Sequence, residues 1–385
     1  MLLKITDGLV LQAGTRKFVK LRLSSAKQAN RFFLLALSSY DRIDEIFKEK
    51  QVEEMKAIIH EGKTGGAGLS YGELEKSDPG KGEVRVKLKT AGLNHRDLFV
   101  LNRHKPEDPA LVIGSDGAGI IDAVGEGVTD VKPGDEVLIN PGLGWKEKSD
   151  APPAGFEIIG LPFHGTFAEY IIIPAENAAP KPAYLTWEEA GVLSLAALTA
   201  YRALFTRGKL QSGMKVFIPG IGGGVATFLM QFAKAAGATV YAASRSEEKC
   251  QRALELGADK ALNSREDWNG VLGGEKVDLV IESVGPATFN KSLEILRNGG
   301  TIVTFGSSTG DQLELNLRSL FYAQQNLLGS TMGSAEEYHE MLQFIEKHQI
   351  RPVLDQALPL EDFEQAFDRL ENAEQWGKIA FKISV

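Results

Sequence analysis

Residues 214–237 read MKVFIPGIGGGVATFLMQFAKAAG. Val216, Phe217 and Ile218 make the short apolar run of a buried strand, and from Ala226 onward the apolar residues recur at helical spacing. Between them stands Gly220-Ile221-Gly222-Gly223-Gly224-Val225. Glycines at a strand-to-helix turn let bare backbone approach a diphosphate, whose charge the N–H groups and dipole of the following helix then hold. A second apolar strand, ATVYAAS at 238–244, follows at the interval expected of a βαβ unit. The glycine spacing matches G-x-G-x-x-G only loosely, so the strand before and the helix after carry the reading.

Outward from this turn the alternation continues. VDLVIES at 277–283 and GTIVTFG at 300–306 read as strands, and EEKCQRALELG at 247–257 has a helical period. Strands alternating with helices predict a parallel sheet covered by helices, a Rossmann-type α/β domain over residues 183–334. Upstream the rhythm differs. GEVRVKLKTAG, GAGIIDAVGEGV, GDEVLIN and GTFAEYIIIP are β-branched runs separated by Gly, Pro and Asp turns, which predicts a β-rich domain over 55–182. The tail, 335–385, is expected to return to that first domain. Residues 1–54 form an N-terminal extension that reads as dispensable, because MKAIIHEG from Met55 already has the pattern of an opening strand. Its basic, acid-poor first 31 residues also match a mitochondrial transit peptide, with Phe32 to Leu37 as the apolar face.

Composition narrows the function. The 385-residue chain has 43% hydrophobic and 24% charged residues and a net charge of −8, with basic residues scattered rather than gathered on one stretch. This argues against nucleic-acid binding. No apolar run reaches the length needed to cross a bilayer, so a cytoplasmic protein without a membrane partner is expected. A single cysteine, Cys250, excludes a disulfide framework and any metal cage built from several thiolates within the chain. Cys250 itself reads as a packed or surface thiol.

The end of the second strand speaks to the cofactor. A free ribose 2′-hydroxyl is met there by Asp or Glu, whereas this chain has Ser244 and Arg245, with Lys249 one helical turn later. A hydroxyl and two cations suit a 2′-phosphate, which favours NADPH. The other reading is that Arg245 and Lys249 merely solvate the start of a helix.

Several motifs together resemble the medium-chain dehydrogenase/reductase family over residues 55–385. They are Ala91-Gly92-Leu93-Asn94-His95-Arg96-Asp97, Gly114-Ser115-Asp116-Gly117-Ala118-Gly119, Gly165-Thr166-Phe167-Ala168-Glu169-Tyr170, the helix Leu195 to Tyr201, Ser283-Val284-Gly285 and Phe305-Gly306-Ser307-Ser308-Thr309-Gly310. The resemblance implies a GroES-like catalytic domain ahead of the Rossmann domain. It also implies that Ser283, Val284, Gly285, Phe305 and Gly306 line the cofactor. The three catalytic zinc ligands of the family's alcohol dehydrogenases fall on Asn94, Ser115 and Leu195. The lobe that holds their structural zinc falls on residues 140–163, which contain no cysteine. No metal is therefore expected, as in the quinone oxidoreductase branch.

In that branch Asn94 would orient a substrate carbonyl or the nicotinamide carboxamide, or simply hold a turn. Thr199 would face the nicotinamide or pack within its helix. Tyr201, Phe305 and Phe163 are candidates to frame the acceptor, and His95 and Asp97 are possible local acids. The implied activity is NADPH-dependent reduction of a quinone or an α,β-unsaturated carbonyl. The alternatives are a non-catalytic NADPH-binding sensor or structural protein, and an alcohol dehydrogenase. Residues 326–332 resemble the edge strand through which such domains pair, so a homodimer is expected.

Overall fold

The computed structural model describes Leu9–Ala13, Lys17–Leu21 and residues 53–384. The chain divides into two compact units, Met1–Glu53 and Glu54–Val385. Within the first, Leu9–Ala13 pairs antiparallel with Lys17–Leu21. The segment Phe32 to Leu37 lies outside the described residues.

In the second unit the β-branched runs build two sheets. Glu54–His60 pairs with Leu69–Glu75 and with Leu111–Val112. A seven-stranded sheet takes the order 178–180, 136–139, 116–124, 83–93, 378–382, 354–359, with Tyr170–Pro174 also paired to Glu83–Leu93. The long strand Glu83–Leu93 alternates buried Val84, Val86 and Leu88 with more open Arg85 and Lys87, as a half-buried strand must. The C-terminal strand Lys378–Lys382 runs antiparallel to its far end, with Ile379 opposite Leu93. The start of this last strand therefore stands beside the Asn94 turn.

The other half is a six-stranded sheet in the order 260–263, 239–244, 215–219, 277–282, 296–304, 326–329, with every pairing parallel. This is the doubly wound order in which the first strand lies at the centre, beside the point where the winding reverses. Ligands bind outside the carboxyl ends of such strands at that point, and the glycine turn is there. The fold is thus α/β, a GroES-like β-rich half followed by a Rossmann half. Among the described residues no helix is long and apolar enough to cross a membrane.

Helix Ala335–His348 packs against helix Ser194–Tyr201, where Tyr338 shares a 2.8 Å hydrogen bond with Ser194. Its buried Tyr338, Met341 and Ile345 join the cluster of Leu198, Val216 and Phe228, so the return to the first sheet begins only at Leu354. A buried ion pair anchors this helix. Arg202 donates to both oxygens of Glu337 at 2.8 and 2.9 Å, and to the carbonyl of Ser149 at 2.8 Å. Glu337 also closes a capping box with Ser334, and the guanidinium lies 4.6 Å from the Trp145 ring.

Because Met1–Glu53 forms a unit of its own, a chain beginning at Met55 should fold and bind nicotinamide dinucleotide as the full chain does. Thermal unfolding and fluorescence titration check this. Loss of cooperative unfolding in the shortened chain would contradict it.

Candidate active site

The sequence places a turn at Leu93-Asn94, between strand Glu83–Leu93 and helix His95–Arg103. Asn94 caps that helix in a capping box with Asp97, whose carboxylate accepts from the Asn94 N–H at 2.8 Å. The Asn94 amide faces inward and is fully engaged. Its Nδ2 donates to Asp116 Oδ2 at 2.9 Å and to the Gly92 carbonyl at 3.3 Å, and its Oδ1 accepts a short hydrogen bond from Lys378 Nζ. Asn94 therefore positions its neighbours, and no amide hydrogen is left to orient a substrate carbonyl.

Asp116 is the centre of this group. Its Oδ1 accepts from the Leu195 N–H at 2.6 Å, at the first turn of helix Ser194–Tyr201, and its Oδ2 lies 3.1 Å from Lys378 Nζ. Lys378 donates its third hydrogen bond to the Leu93 carbonyl at 2.9 Å. The pair is almost sealed from water, 0% exposed at Asp116 and 3% at Lys378. Such charges persist in a low-dielectric interior only when paired and hydrogen-bonded, and here all three ammonium hydrogens have acceptors. The lysine stem also lies on Gly224, where a Cβ would collide with its Cδ.

Thr199, one helical turn after Leu195, donates its hydroxyl back to the Leu195 carbonyl at 2.8 Å and is buried. Ser115 is also buried and donates to the Ile159 carbonyl at 2.9 Å. Asn94 and the Leu195 N–H thus meet on Asp116, with Ser115 next to it in sequence, and Lys378 completes the carboxylate's partners. Among the described residues no group of three or more His, Cys, Asp or Glu side chains gathers as a metal site. An amide, a hydroxyl and an aliphatic chain do not fit catalytic zinc, which needs thiolate, imidazole or carboxylate donors.

The cofactor residues do fit a dinucleotide. Gly220 and Gly222 adopt φ of +73° and +133°, and a Cβ at Gly222 would come to 2.8 Å of the Lys249 stem. Gly223 caps and Gly224 opens a twelve-residue helix, whose first-turn N–H groups lack partners inside the helix. Val225 follows within that turn. Ser244 ends its strand, buried, and accepts from the Ser246 N–H at 3.2 Å, while Arg245 is exposed beside it. Lys249 donates to the Ala373 carbonyl at 2.7 Å. Cys250 is buried, its thiol 3.3 Å from the Leu262 carbonyl, which makes it a packed residue.

The loop Ser283–Gly285 owes its shape to Glu282, which the sequence reading passed over. One buried carboxylate accepts from the Val284 N–H at 2.7 Å, the Gly285 N–H at 3.2 Å, and the hydroxyls of Thr288 and Ser292. The neighbouring loop after Phe305 and Gly306 is tied to it by the Thr309 N–H, which donates to the Val284 carbonyl at 2.8 Å.

Of the three aromatics read as framing an acceptor, Tyr201 stands elsewhere. Its ring packs 4.8 Å from Phe205 and 6.2 Å from Phe344, between helices, because residue 201 faces the neighbouring helix Ala335–His348. Phe163 is 55% exposed, and Phe305 packs against the core. His95 lies on the surface with its ring 5.5 Å from Phe99.

With this geometry the known proteins can be compared. The alcohol dehydrogenase GroES-like domain matches residues 80–183 and the zinc-binding dehydrogenase family matches residues 224–347. A zinc-type alcohol dehydrogenase-like protein of Schizosaccharomyces pombe is 33% identical over 346 residues, covering 86% of this chain and 99% of that protein. The chain belongs to the medium-chain dehydrogenase/reductase family. As a member it is an oxidoreductase of that fold. A crotonyl-CoA reductase of Streptomyces avermitilis is 32% identical over 306 residues, 70% of this chain and 68% of that protein. Among solved structures, an NAD-dependent alcohol dehydrogenase superposes with a TM-score of 0.81 at 37% identity, covering 86% of this chain and 100% of that one. A crotonyl-CoA carboxylase/reductase in complex with NADP superposes with a TM-score of 0.78 at 25% identity, covering 86% and 95%.

One group in the site titrates in an accessible range. Burial pushes the Asp97 carboxyl from its ordinary 3.8 up to about 6, against the pull of Arg96, and its Oδ1 has no hydrogen-bond partner. A carboxyl whose folded pKa is raised binds its proton more tightly in the native state. The stability it contributes is whole below the unfolded pKa and lost as pH rises through the folded one. Unfolding free energy should therefore drop by roughly 2 to 3 kcal/mol between about pH 4 and pH 6 on account of Asp97. Urea unfolding across that range should show a flatter profile for Asp97→Asn, and an unchanged slope would contradict the assignment.

Proposed function

We propose that the protein is an NADPH-dependent reductase of conjugated carbonyl acceptors, quinones or enones, that works without zinc. The observation that carries this reading is that Asn94, Ser115 and Leu195 offer no zinc donor, the Asn94 amide being held by Lys378 and Asp116 and the Ser115 hydroxyl by the Ile159 carbonyl. Without a Lewis acid, alkoxide stabilisation in simple alcohol oxidation loses several kcal/mol. A conjugated acceptor needs less, since the incoming negative charge spreads over its own π system. The bound nicotinamide supplies the hydride. The chain's share is to position two partners, exclude water and hydrogen-bond a developing oxyanion. The crotonyl-CoA reductase likeness supports an activated acceptor.

The residues at 244–249 carry the choice of NADPH. Ser244 and Arg245 offer a hydroxyl and an exposed guanidinium where an NAD site would place a carboxylate, and the NADP-bound relative is in keeping with this. One similar structure is named NAD-dependent, so the preference rests on this chain's own side chains. We further propose a homodimer paired through the edge strand Asn326–Gly329, flanked by exposed Leu317, Phe321 and Tyr322, and a cytoplasmic location.

Charge-assisted hydrogen bonds of this kind contribute about 1.5 to 3 kcal/mol each, so Arg245→Ala should weaken NADPH by roughly ten- to a hundredfold and change NADH little. Ser244→Asp should go further, repelling the 2′-phosphate and accepting from a ribose hydroxyl. The measurement is kcat/KM for both cofactors with a panel of quinones and enones at one ionic strength. A wild type that prefers NADH, or a ratio unmoved by either change, would falsify the cofactor assignment. Turnover of simple alcohols with none of the panel would overturn the acceptor class.

A further inference from the structure

Arg96 sits at the start of helix His95–Arg103 and reaches across to the loop at Ile158 and Ile159. Its Nη1 donates to Ser115 Oγ at 3.0 Å and to the Ile159 carbonyl at 3.2 Å, and its Nη2 donates to the Ile158 carbonyl at 3.2 Å. All three acceptors are neutral. A guanidinium has five N–H groups, so Nε–H and one Nη2–H remain without a partner among the described residues. These two share an edge of the planar group, the geometry that grips an anionic oxygen pair or a single oxyanion.

The electrostatic surroundings agree. Burial lowers the Arg96 pKa, and the pull of Asp97 and Glu157 does not offset it. The two fully buried cations among the described residues each have a carboxylate in contact: Arg202 has Glu337 and Lys378 has Asp116. Arg96 has none within ion-pair distance among the described residues. It stands against Ser115, next to the Asp116 carboxylate that organises the site. A partly buried guanidinium whose protein partners are all neutral, with two N–H groups left, can receive an anionic oxygen there.

We propose that Arg96 is the group that receives the acceptor's carbonyl oxygen and stabilises it as it becomes an oxyanion. This rests on the conjugated-carbonyl reductase reading. Hydride adds to the conjugated carbon and forms the new C–H bond. The displaced π pair moves through the conjugated system to the oxygen, which Arg96 holds by the Nε–H and Nη2–H edge. A solvent proton then completes the reduction, and the nicotinamide leaves oxidised.

The test uses the full chain, Arg96→Ala and Arg96→Lys. Removing an oxyanion donor of this kind costs about a hundredfold or more in kcat. Arg96→Ala should show that loss with NADPH affinity and melting temperature close to wild type, Arg96→Lys should be intermediate, and added guanidinium ion should restore part of the Ala variant's kcat. p-Nitrophenol supplies a readout without turnover. With NADP bound, wild type should take it up as the phenolate, with its pKa lowered by about one unit, and Arg96→Ala should not. An active wild type whose kcat survives Arg96→Ala overturns this inference alone, as does a loss that guanidinium cannot rescue and that leaves nitrophenolate binding intact. If wild type reduces no quinone or enone, the reductase reading fails, and the nitrophenolate arm still decides whether Arg96 is an anion site.

Discussion

The buried ion pair between Lys378 and Asp116 is the constraint on which the site depends. Four segments far apart in sequence meet on it: the Leu93-Asn94 turn, the start of strand Asp116–Val124, the N-terminus of helix Ser194–Tyr201, and the last strand. The lysine stem also covers Gly224, so the same side chain borders the phosphate-binding turn. Removing Asp116 would leave an ammonium buried without its counter-ion, a change that commonly costs about 3 to 5 kcal/mol. The pair is a weak source of net stability beside an apolar alternative. Its value lies in fixing where the two halves of the cleft meet.

A second sealed pair does comparable work in the lobe at residues 140–163. Arg202 and Glu337 join helix Ala335–His348 to the Ser149 carbonyl, and the Ala335 N–H donates to the Trp145 carbonyl at 2.8 Å. In the family's zinc-containing alcohol dehydrogenases a cysteine-held metal shapes this region. Here an arginine does so through a carboxylate, a backbone carbonyl and an indole face. In each of these regions a buried side-chain cation is hydrogen-bonded to a residue that the resemblance brings to notice, Lys378 to Asn94 and Arg202 to Ser149. The chain matches the zinc-binding dehydrogenase family over residues 224–347, and the side chains at 94, 115 and 195 are not zinc donors.

Much of this was legible in the sequence because it is local. The glycine turn, the strand before it and the helix after it lie within twenty-four residues, and the alternation of strands and helices follows from periodicity alone. The absence of the Cys, His and Cys ligands at positions 94, 115 and 195 could be read directly from residue identity. The partners of Asp116 could not, since Lys378 lies 262 positions away and no short-range pattern encodes such a contact. A signal did exist in the form of charged residues inside apolar strands, Asp116 in GSDGAGII and Lys378 in GKIAF, which must find a partner or forgo burial. Glu282 in VIES is a third case. Tyr201 was misread for the converse reason, since an aromatic next to a helix end says nothing about which neighbour it will face.

The central claim is that this oxidoreductase performs hydride transfer with fixed cations and no metal. Elemental analysis of the purified protein, paired with NADPH turnover before and after exhaustive chelation, tests it most directly. The account predicts far less than one zinc per chain and unchanged kcat after chelation. Stoichiometric zinc whose removal abolishes turnover, and whose return restores it, would contradict the account.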